Sequence, residues 1–285
     1  MLIRKKNRFA SPKRQKEKRM VILIKTSLFL FVVLVVFVLS IFISKVDRIN
    51  INKITIKNEG SSITEDEIKN VAEEDIKGNF FGLYPKTNIF LYQKDKIKTD
   101  IYNKFNKIKS VDIENISFSE IKITIDERSP HSLWCGFEIK SEEKCYFLDE
   151  TGYIYSEAPT FSGNVFFKNY GNIKKENPIG SIFLGSEKFK EISFFIKSMK
   201  DINLVPFSFF AKENDDFEIY LEDSSLKYNF SGGKIIFNKN DNLGEIFDNL
   251  KTILKENALT KEFDYAVQLD YIDLRFGSKI FYKFK

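Results

Sequence analysis

Residue types that commonly do catalytic chemistry are few and scattered in this chain. The single histidine, His131, directly follows a proline, and metal sites built from clustered imidazoles need several histidines, so it is interpreted as a surface or junction residue. No nucleophile has a base at a suitable spacing, and no glycine-rich phosphate loop is present. The sequence therefore predicts no enzyme, with no catalytic residue, no cofactor, no metal and no small-molecule substrate.

Two pairs of charged residues could be taken for acid–base groups, but their positions favour structural roles. Glu127 and Arg128 stand at the end of a predicted strand, where an ion pair or a contact between domains is expected. Asp149 and Glu150 lie in a predicted hairpin turn, and aspartate is common in turns because its side chain accepts nearby hydrogen bonds. A hydrolase is thus the weakest alternative, and hydrolytic activity of the purified protein would reveal it.

The two cysteines, Cys135 and Cys145, lie on adjacent strands of one predicted hairpin. Cross-strand cysteines can bond only if they face each other in register, with Cα atoms about 4.4–6.8 Å apart. A location outside the cytoplasm permits a disulfide. The competing interpretation is a pair of buried free thiols that behave as small apolar residues.

The elements that position these residues start with an apolar stretch from Thr26 to Ser44, which has no charge, proline or glycine. As a helix it would span roughly 28 Å, close to the hydrocarbon thickness of a bilayer. A buried core helix usually keeps one polar face, which this stretch lacks. The residues after it offer no small-residue cleavage site of a signal peptide. Residues 26–44 are therefore predicted to be an uncleaved transmembrane helix in contact with the lipid bilayer.

Charge predicts the orientation of that helix. Residues 1–25 contain ten Lys or Arg against one acid, Glu17, and such flanks stay on the cytoplasmic side. This basic tail would lie against anionic headgroups, while residues 45–285 would be extracytoplasmic. The net charge of the whole chain is +5, but without the tail 35 basic residues face 39 acidic ones. Because the outer part is not basic, nucleic-acid binding is not expected.

Residues 46–128 are predicted to fold as strand–helix–helix–strand–strand. Thr64 and Glu67 form a capping box at the first helix, with Ile63 and Ile68 as its hydrophobic staple. The second helix is marked by one apolar face, formed by Ile97, Ile101, Phe105 and Ile108. Both helices must cover one face of a small sheet to bury their apolar faces. This β-α-α-β-β order is typical of a POTRA-like domain.

Residues 129–285 are predicted to form a mainly antiparallel, β-rich domain with two helices, so the fold class is α+β. Gly152 suits the left-handed position of a hairpin turn, and Gly232 with Gly233 suits another. The expected strands are 132–138, 144–148, 153–155, 207–211, 217–221, 226–230 and 234–237. The helices are indicated by Phe189, Ile192, Ile196 and Met199 and by Leu243, Ile246, Phe247, Leu250, Ile253 and Leu254.

The C-terminal stretch reads as two further strands. Apolar residues alternate from Phe263 to Tyr271 and then change phase, which predicts a bulge near Tyr271. Gly277 ends that strand, and residues 278–285 form the last one. A terminal strand at a sheet edge can pair with a partner strand, or it can be protected by its lysines, and both interpretations stay open.

Several segments, in this domain order, resemble the FtsQ/DivIB family of bacterial cell-division proteins. Residues 121–130, IKITIDERSP, are similar to the family's strand that ends in Glu-Arg-x-Pro, and Trp134 matches its tryptophan. Residues 148–152, LDETG, are similar to its Val-Asp-x-x-Gly hairpin. Residues 271–279, YIDLRFGSK, are similar to its Tyr-(Val/Ile)-Asp-Leu-Arg-(Tyr/Phe) signature. A long insert between the two POTRA-like helices, residues 76–92, and the cysteine pair depart from the family pattern.

The resemblance implies a bitopic scaffold of the division machinery in the inner or plasma membrane, enriched at the septum. Its partners would be division proteins of the FtsL and FtsB/DivIC type. By motif match, Arg275, Phe276 and Ser278 belong to the partner-binding surface. The alternative is a POTRA-containing envelope assembly or secretion factor that handles polypeptides, for which a uniform envelope distribution would replace enrichment at midcell.

Overall fold

A computed structural model of the protein describes residues 12–58, 62–139, 144–222, 232–255 and 268–285. The chain divides into two compact units, the first made of residues 1–104 and 110–126 and the second of residues 105–109 and 127–285. The predicted strand 226–230, the start of the alternation at Phe263 and residues 1–11 of the basic tail lie outside the described residues.

The N-terminal element is one long helix, α1, from Pro12 to Ser44. Its 33 residues extend about 50 Å, so the helix continues through much of the basic tail as well as the apolar stretch. Most of the apolar part is exposed in the folded chain, and near its end Ser40 and Ile41 are half-buried and Ser44 is buried. In the described part of the chain, α1 is the one helix long and apolar enough to cross a membrane.

The first unit places two helices and a short hairpin around a three-stranded sheet in the order β1-β5-β4. Strand β1 is parallel to β5, with Ile54 opposite Ile121 and Ile56 opposite Ile123. After α1, the elements of this unit are, in chain order, β1 Lys53–Lys57, α2 Glu65–Ile76, β2 Asn79–Phe80, β3 Tyr84–Pro85, α3 Lys94–Lys104, β4 Ile108–Asn115 and β5 Glu120–Glu127.

Local sequence signals explain the helices of this unit. The predicted capping box is present: the backbone N–H of Glu67 donates to the Thr64 hydroxyl, and the Thr64 N–H donates to the Glu67 carboxylate at 2.9 Å. This bond is the main reason that the pKa of Glu67 is lowered. Ile63 and Ile68, the expected staple, are both buried.

The predicted apolar face of the second helix is right in its first half and wrong in its second. Ile97 and Ile101 are fully buried on α3. The helix ends at Lys104, however, and Ile108 is the first residue of strand β4. Ile108 is buried because it belongs to the strand and not to the helix. The spacing of apolar residues in a single sequence cannot distinguish these two cases.

The second unit contains a nine-stranded sheet in the order β14-β13-β12-β11-β10-β9-β6-β7-β8. Among the described strands, five neighbouring pairs are antiparallel and three are parallel, so the sheet is mainly antiparallel. The strands are β6 Ser132–Trp134, β7 Tyr146–Leu148, β8 Ile154–Glu157, β9 Lys168–Gly171, β10 Pro206–Ala211, β11 Asp216–Leu221, β12 Lys234–Asn238, β13 Leu269–Phe276 and β14 Lys279–Phe284.

Two helices cover one face of this sheet. They are α4, Ser186–Ser198, and α5, Leu243–Lys255. Their apolar faces join the inward side chains of the strands in one core, which includes the fully buried Phe183, Phe209, Phe217 and Phe237. A smaller cluster, with Leu133, Cys135 and Tyr170, lies apart from that core.

The main surprise in the second unit is β9, which the sequence did not predict as a strand. It pairs in parallel with both β6 and β10 and so joins the two halves of the sheet. The bulge expected near Tyr271 is confirmed, because the register between β13 and β14 shifts between Leu269 and Tyr271. Gly152 has the positive φ of 79° expected at its turn.

Candidate functional site

The candidate site is the last strand of the nine-stranded sheet and the residues just before it. Strand β14 stands at one end of the sheet order and pairs with β13. Within the described residues, no other strand flanks it. An edge of this kind presents backbone N–H and C=O groups that a partner strand can bind. We call β14 together with Arg275, Phe276 and Ser278 the β14 edge site.

Aromatic side chains are exposed along this site. Phe276 is 56% exposed and Phe281 is 50% exposed, and their ring centroids lie 5.3 Å apart in an edge-to-face contact. Phe281 is directly opposite the buried Asp273, so it lies on the sheet face away from the main core. Of these two aromatic residues, the sequence match selected only Phe276. Phe281 was missed because the signature that carries the match ends before β14.

Ser278 lies in the turn between β13 and β14, where the two strands meet at Phe276 and Lys279. Gly277 precedes it with a φ of 65°. A positive φ at the first central residue is typical of a two-residue hairpin turn, and glycine adopts it without strain. Gly277, which directly follows β13, therefore fits the conformation that this turn requires. Ser278 itself is exposed at the tip of this hairpin.

Arg275 is held by two carboxylates of its own chain. Its Nε and Nη2 donate to the two carboxylate oxygens of Asp273 at 2.9 and 2.6 Å, and its Nη1 donates to Asp216 at 2.7 Å. Burial raises the pKa of Asp273, but the hydrogen bonds from Arg275 outweigh it, and the pKa is lowered. The same bonds raise the pKa of Arg275. The guanidinium thus links β13 to β11.

A second charged group lies on the same sheet beside this ion pair. The carboxylate of Glu218 accepts hydrogen bonds from Lys212 at 2.6 Å, Lys234 at 2.9 Å and the Tyr220 hydroxyl at 2.8 Å. Burial would raise the pKa of Glu218, yet these three donors lower it overall. Burial and the bond to Glu218 raise the pKa of Tyr220. The four side chains satisfy one another and link β11 to β12 and to Lys212, the residue after β10.

The two motifs near the start of the second unit come together as a structural pair. Arg128 donates to Asp149 in an ion pair, and its guanidinium lies 4.0 Å from the centroid of the Tyr153 ring. Asp149 also accepts from the backbone N–H groups of Thr151 and Tyr153. Burial raises the pKa of Asp149, but these hydrogen bonds lower it overall. The arrangement fits the structural role expected for Arg128 and Asp149.

Cys135 and Cys145 are joined by a disulfide. They stand one residue beyond the last paired positions of β6 and β7, Trp134 and Tyr146, and their Cα atoms are 4.1 Å apart. The two cysteines therefore face each other across the hairpin in register, with a Cα separation slightly shorter than the expected range of about 4.4–6.8 Å. Cys135 belongs to the small cluster with Leu133 and Tyr170.

The remaining residue considered in the sequence is His131. The ring of His131 packs edge-on against Phe189 at 5.8 Å between centroids. Within the described ranges, no group of three or more His, Cys, Asp or Glu side chains could hold a metal ion. The exposed aromatics and the strand edge therefore make the β14 edge site the best candidate for a functional surface.

Comparison with protein-family models finds none that matches this chain, and comparison with curated proteins finds no match either.

Proposed function

We propose that this protein is a non-enzymatic, single-pass membrane scaffold of the division machinery that binds partner proteins outside the cytoplasm. The resemblance to the FtsQ/DivIB family motivates the partner class, which is the FtsL and FtsB/DivIC type. In this proposal α1 anchors the chain with its basic end inside, and the first unit acts as a POTRA-type domain that recruits septal partners. The observation that best supports binding is the position of β14 at the sheet edge.

The proposed mode of binding is strand addition. A partner segment would pair with β14 through backbone hydrogen bonds, and side chains beside the edge would give specificity. Phe276 and Phe281 form an exposed aromatic pair there, and aromatic anchors commonly dominate binding energy. The lysines of this strand would keep the edge from pairing with itself.

Arg275 has a different role in this proposal from the aromatic pair. Because Asp216 and Asp273 already hold its guanidinium, it shapes the surface next to the edge and keeps β13 in place. Arg275→Ala would leave two carboxylates without their cation, so its effect on binding would be mixed with an effect on folding. Phe276 is therefore the sharper test of the site.

The test compares two exposed phenylalanines of the second unit. Phe276→Ala should weaken binding of the full chain in lipid nanodiscs to an FtsB/DivIC-type protein by about 2 kcal/mol, or roughly thirtyfold. Phe194 is 74% exposed on α4, so Phe194→Ala is a matched control and should leave the affinity unchanged. Equal affinities for the wild type and both variants would contradict the proposed site.

Localisation separates this function from its alternative. A fluorescent fusion of the full chain should be enriched at midcell in dividing cells. A uniform distribution around the envelope would instead favour a POTRA-containing assembly or secretion factor that handles polypeptides.

A further inference from the structure

Exposed apolar side chains of the first unit gather near the point where α1 ends. Outside α1, the described part of this unit has eight large apolar residues that are more than one-third exposed. One of them, Tyr102, lies on α3. The other seven lie in the segment after α1 and in loops, namely Val46, Phe81, Leu83, Phe90, Leu91, Ile116 and Phe118.

Backbone hydrogen bonds bring these loops to the same end of the unit. The segment between α1 and β1 donates from Ile51 to the carbonyl of Thr87 at 2.8 Å and from Asn52 to the carbonyl of Ser119 at 3.0 Å. The loop with Phe90 and the turn with Phe118 are therefore attached by hydrogen bonds to the segment that connects α1 to β1. The rings of Phe90 and Phe118 lie 6.1 Å apart.

The end of α1 is also fixed to this part of the unit. The carbonyl oxygen of Ser44, the last helical residue, accepts from the side-chain amides of Asn50 at 2.9 Å and Asn88 at 3.1 Å. These amides satisfy a carbonyl that has no partner within the helix. These hydrogen bonds thus fix the direction of α1 relative to the rest of the first unit.

The hairpin formed by β2 and β3, Asn79–Pro85, lies beside the apolar part of α1. The Tyr84 hydroxyl is 2.8 Å from the Ser40 hydroxyl, and the Tyr84 ring is 6.5 Å from the Phe37 ring. Ser40 lies four residues before the helix ends, which places it about 6 Å further along the axis into the apolar segment. The hairpin therefore lies alongside the last apolar turns of α1 and not beyond its C-terminal end.

The tip of this hairpin presents a phenylalanine in a strained conformation. Phe81 has a φ of 50° and is 96% exposed. Glycine or asparagine adopts this left-handed conformation more readily, whereas an aromatic residue there is strained. The strain and the exposure are unfavourable for folding alone, so the residue at the tip suits an external apolar surface.

We infer that the Asn79–Pro85 hairpin enters the outer interface of the bilayer that α1 spans. Phe81 and Leu83 lie among the upper acyl chains, and Tyr84 lies near the headgroups, where amphipathic aromatics concentrate. The hairpin stays at the interface because the edges of a two-stranded hairpin would lack hydrogen-bond partners in the hydrocarbon core. The bilayer is its occupant because Tyr84 contacts α1 inside the apolar segment. This inference rests on the membrane anchoring in the proposed function.

The experiment places an environment-sensitive fluorophore at single positions of the full chain. The native cysteines form a disulfide, so an introduced cysteine is the reactive thiol. Phe81→Cys, Leu34→Cys and Glu65→Cys, each carrying a nitrobenzoxadiazole label, are reconstituted in phosphatidylcholine–phosphatidylglycerol vesicles. Position 34 reports the middle of the apolar stretch 26–44. Position 65 is exposed at the start of α2. The hairpin follows the other end of this helix, which is about 18 Å long.

We expect the label at position 81 to emit at shorter wavelength than the label at position 65. We also expect lipids with a nitroxide near the headgroup to remove most of its emission, while the emission at position 65 is retained. Phe118→Cys should show a weaker version of the same quenching, since its turn is attached to the same segment.

The outcomes separate this inference from membrane anchoring itself. Quenching at position 34 by deep nitroxides with a water-exposed label at position 81 would overturn the docking of the hairpin and leave the anchor standing. A blue-shifted label at position 81 that lipid nitroxides do not quench would mean that protein covers the hairpin, which also overturns it. If the label at position 34 is not quenched, the anchor fails and the hairpin inference fails with it.

Discussion

The two edge strands of the nine-stranded sheet, β8 and β14, differ in whether another segment of the described chain covers them. Strand β8 is covered by a segment of its own chain: Ile154 donates to the carbonyl of Ser181 at 2.9 Å and accepts from Gly180 at 2.8 Å. Ile154 and Tyr155 are buried. Strand β14 is mostly exposed and, in the described part of the chain, pairs with β13. Within the described residues the chain thus covers one edge with its own loop and leaves the other open, so the proposed strand pairing would occur at β14.

The comparison also shows how the open edge avoids uncontrolled association. Phe276 and Phe281 make it apolar, while lysines at positions 279, 283 and 285 place charge beside it. Lys283 is 3.1 Å from Asp270 on the neighbouring strand, so part of this charge is balanced. Lysines on an edge disfavour pairing of like copies, whereas a partner with complementary charge would be accepted.

Removing the open edge should have the largest effect. Deletion of Ser278–Lys285 removes the backbone groups of β14, so binding to an FtsB/DivIC-type protein should fall by more than the roughly thirtyfold expected for Phe276→Ala. Isothermal titration of the full chain in nanodiscs measures this loss. Circular dichroism and the intact Cys135–Cys145 disulfide show whether the shortened protein is folded. Wild-type affinity in the folded deletion variant would place the binding surface elsewhere.

Opening the disulfide should weaken the covered half of the sheet without changing the open edge. The Cys135–Cys145 bond closes a short loop between β6 and β7, and its loss should lower the free energy of unfolding by about 2–3 kcal/mol. Urea unfolding of the double variant Cys135→Ala/Cys145→Ala measures this change. Thiol titration of the unfolded, unreduced wild type should find no free thiol. Two free thiols per chain would refute the bond.

Uncovering β8 tests whether the loop is what closes that edge. Gly180→Pro removes the N–H that donates to Ile154, and a buried carbonyl left without a partner costs about 1–3 kcal/mol. The variant should be less stable and should self-associate more at high concentration. Proline also cannot adopt the φ of 85° at this position, so Gly180→Ala, which keeps the N–H but is strained at that φ, is the control for backbone strain. Equal self-association of both variants would mean that the hydrogen bond does not protect the edge.

Acid should produce the smallest effect, through the charged groups that hold the open half of the sheet. The pKa of Glu218 in the folded protein is below its ordinary value of 4.5, so its contribution to stability is complete well above that pH. The contribution is lost as the pH falls below 4.5 toward the lower folded pKa. Glu218→Gln should therefore show a flatter dependence of the urea midpoint on pH between about 5 and 3. An unchanged slope would show that the carboxylate is not linked to folding.

Local patterns predicted the elements whose information lies within a few residues. The capping box at Thr64, the turn at Gly152 and the phase shift at Tyr271 all appear where expected. Each depends on side chains or backbone angles that neighbours in sequence determine. The apolar stretch after Lys25 likewise predicts a helix long enough for a bilayer from its length and composition alone.

Other elements were missed because their stabilising contacts come from distant residues. Strand β9 is four residues long and gains its hydrogen bonds from β6, 35 residues earlier, and from β10, 40 residues later. So short a run has no clear periodicity of its own. Ile108 was assigned to a helix for the related reason that one apolar residue fits both a helical and a strand spacing.

For the candidate site, the sequence by itself determined which residue types stand near the end of the chain, and the motif match selected Arg275, Phe276 and Ser278. Only the tertiary structure decided their roles. It pairs Arg275 with Asp216, 59 residues away, and it brings Phe281 against Phe276. It also places Tyr84 beside Ser40, although 44 residues separate them. The physical reason is that local signals fix φ, ψ and the buried face of each element, while partners across a sheet or along a helix depend on how the whole chain packs.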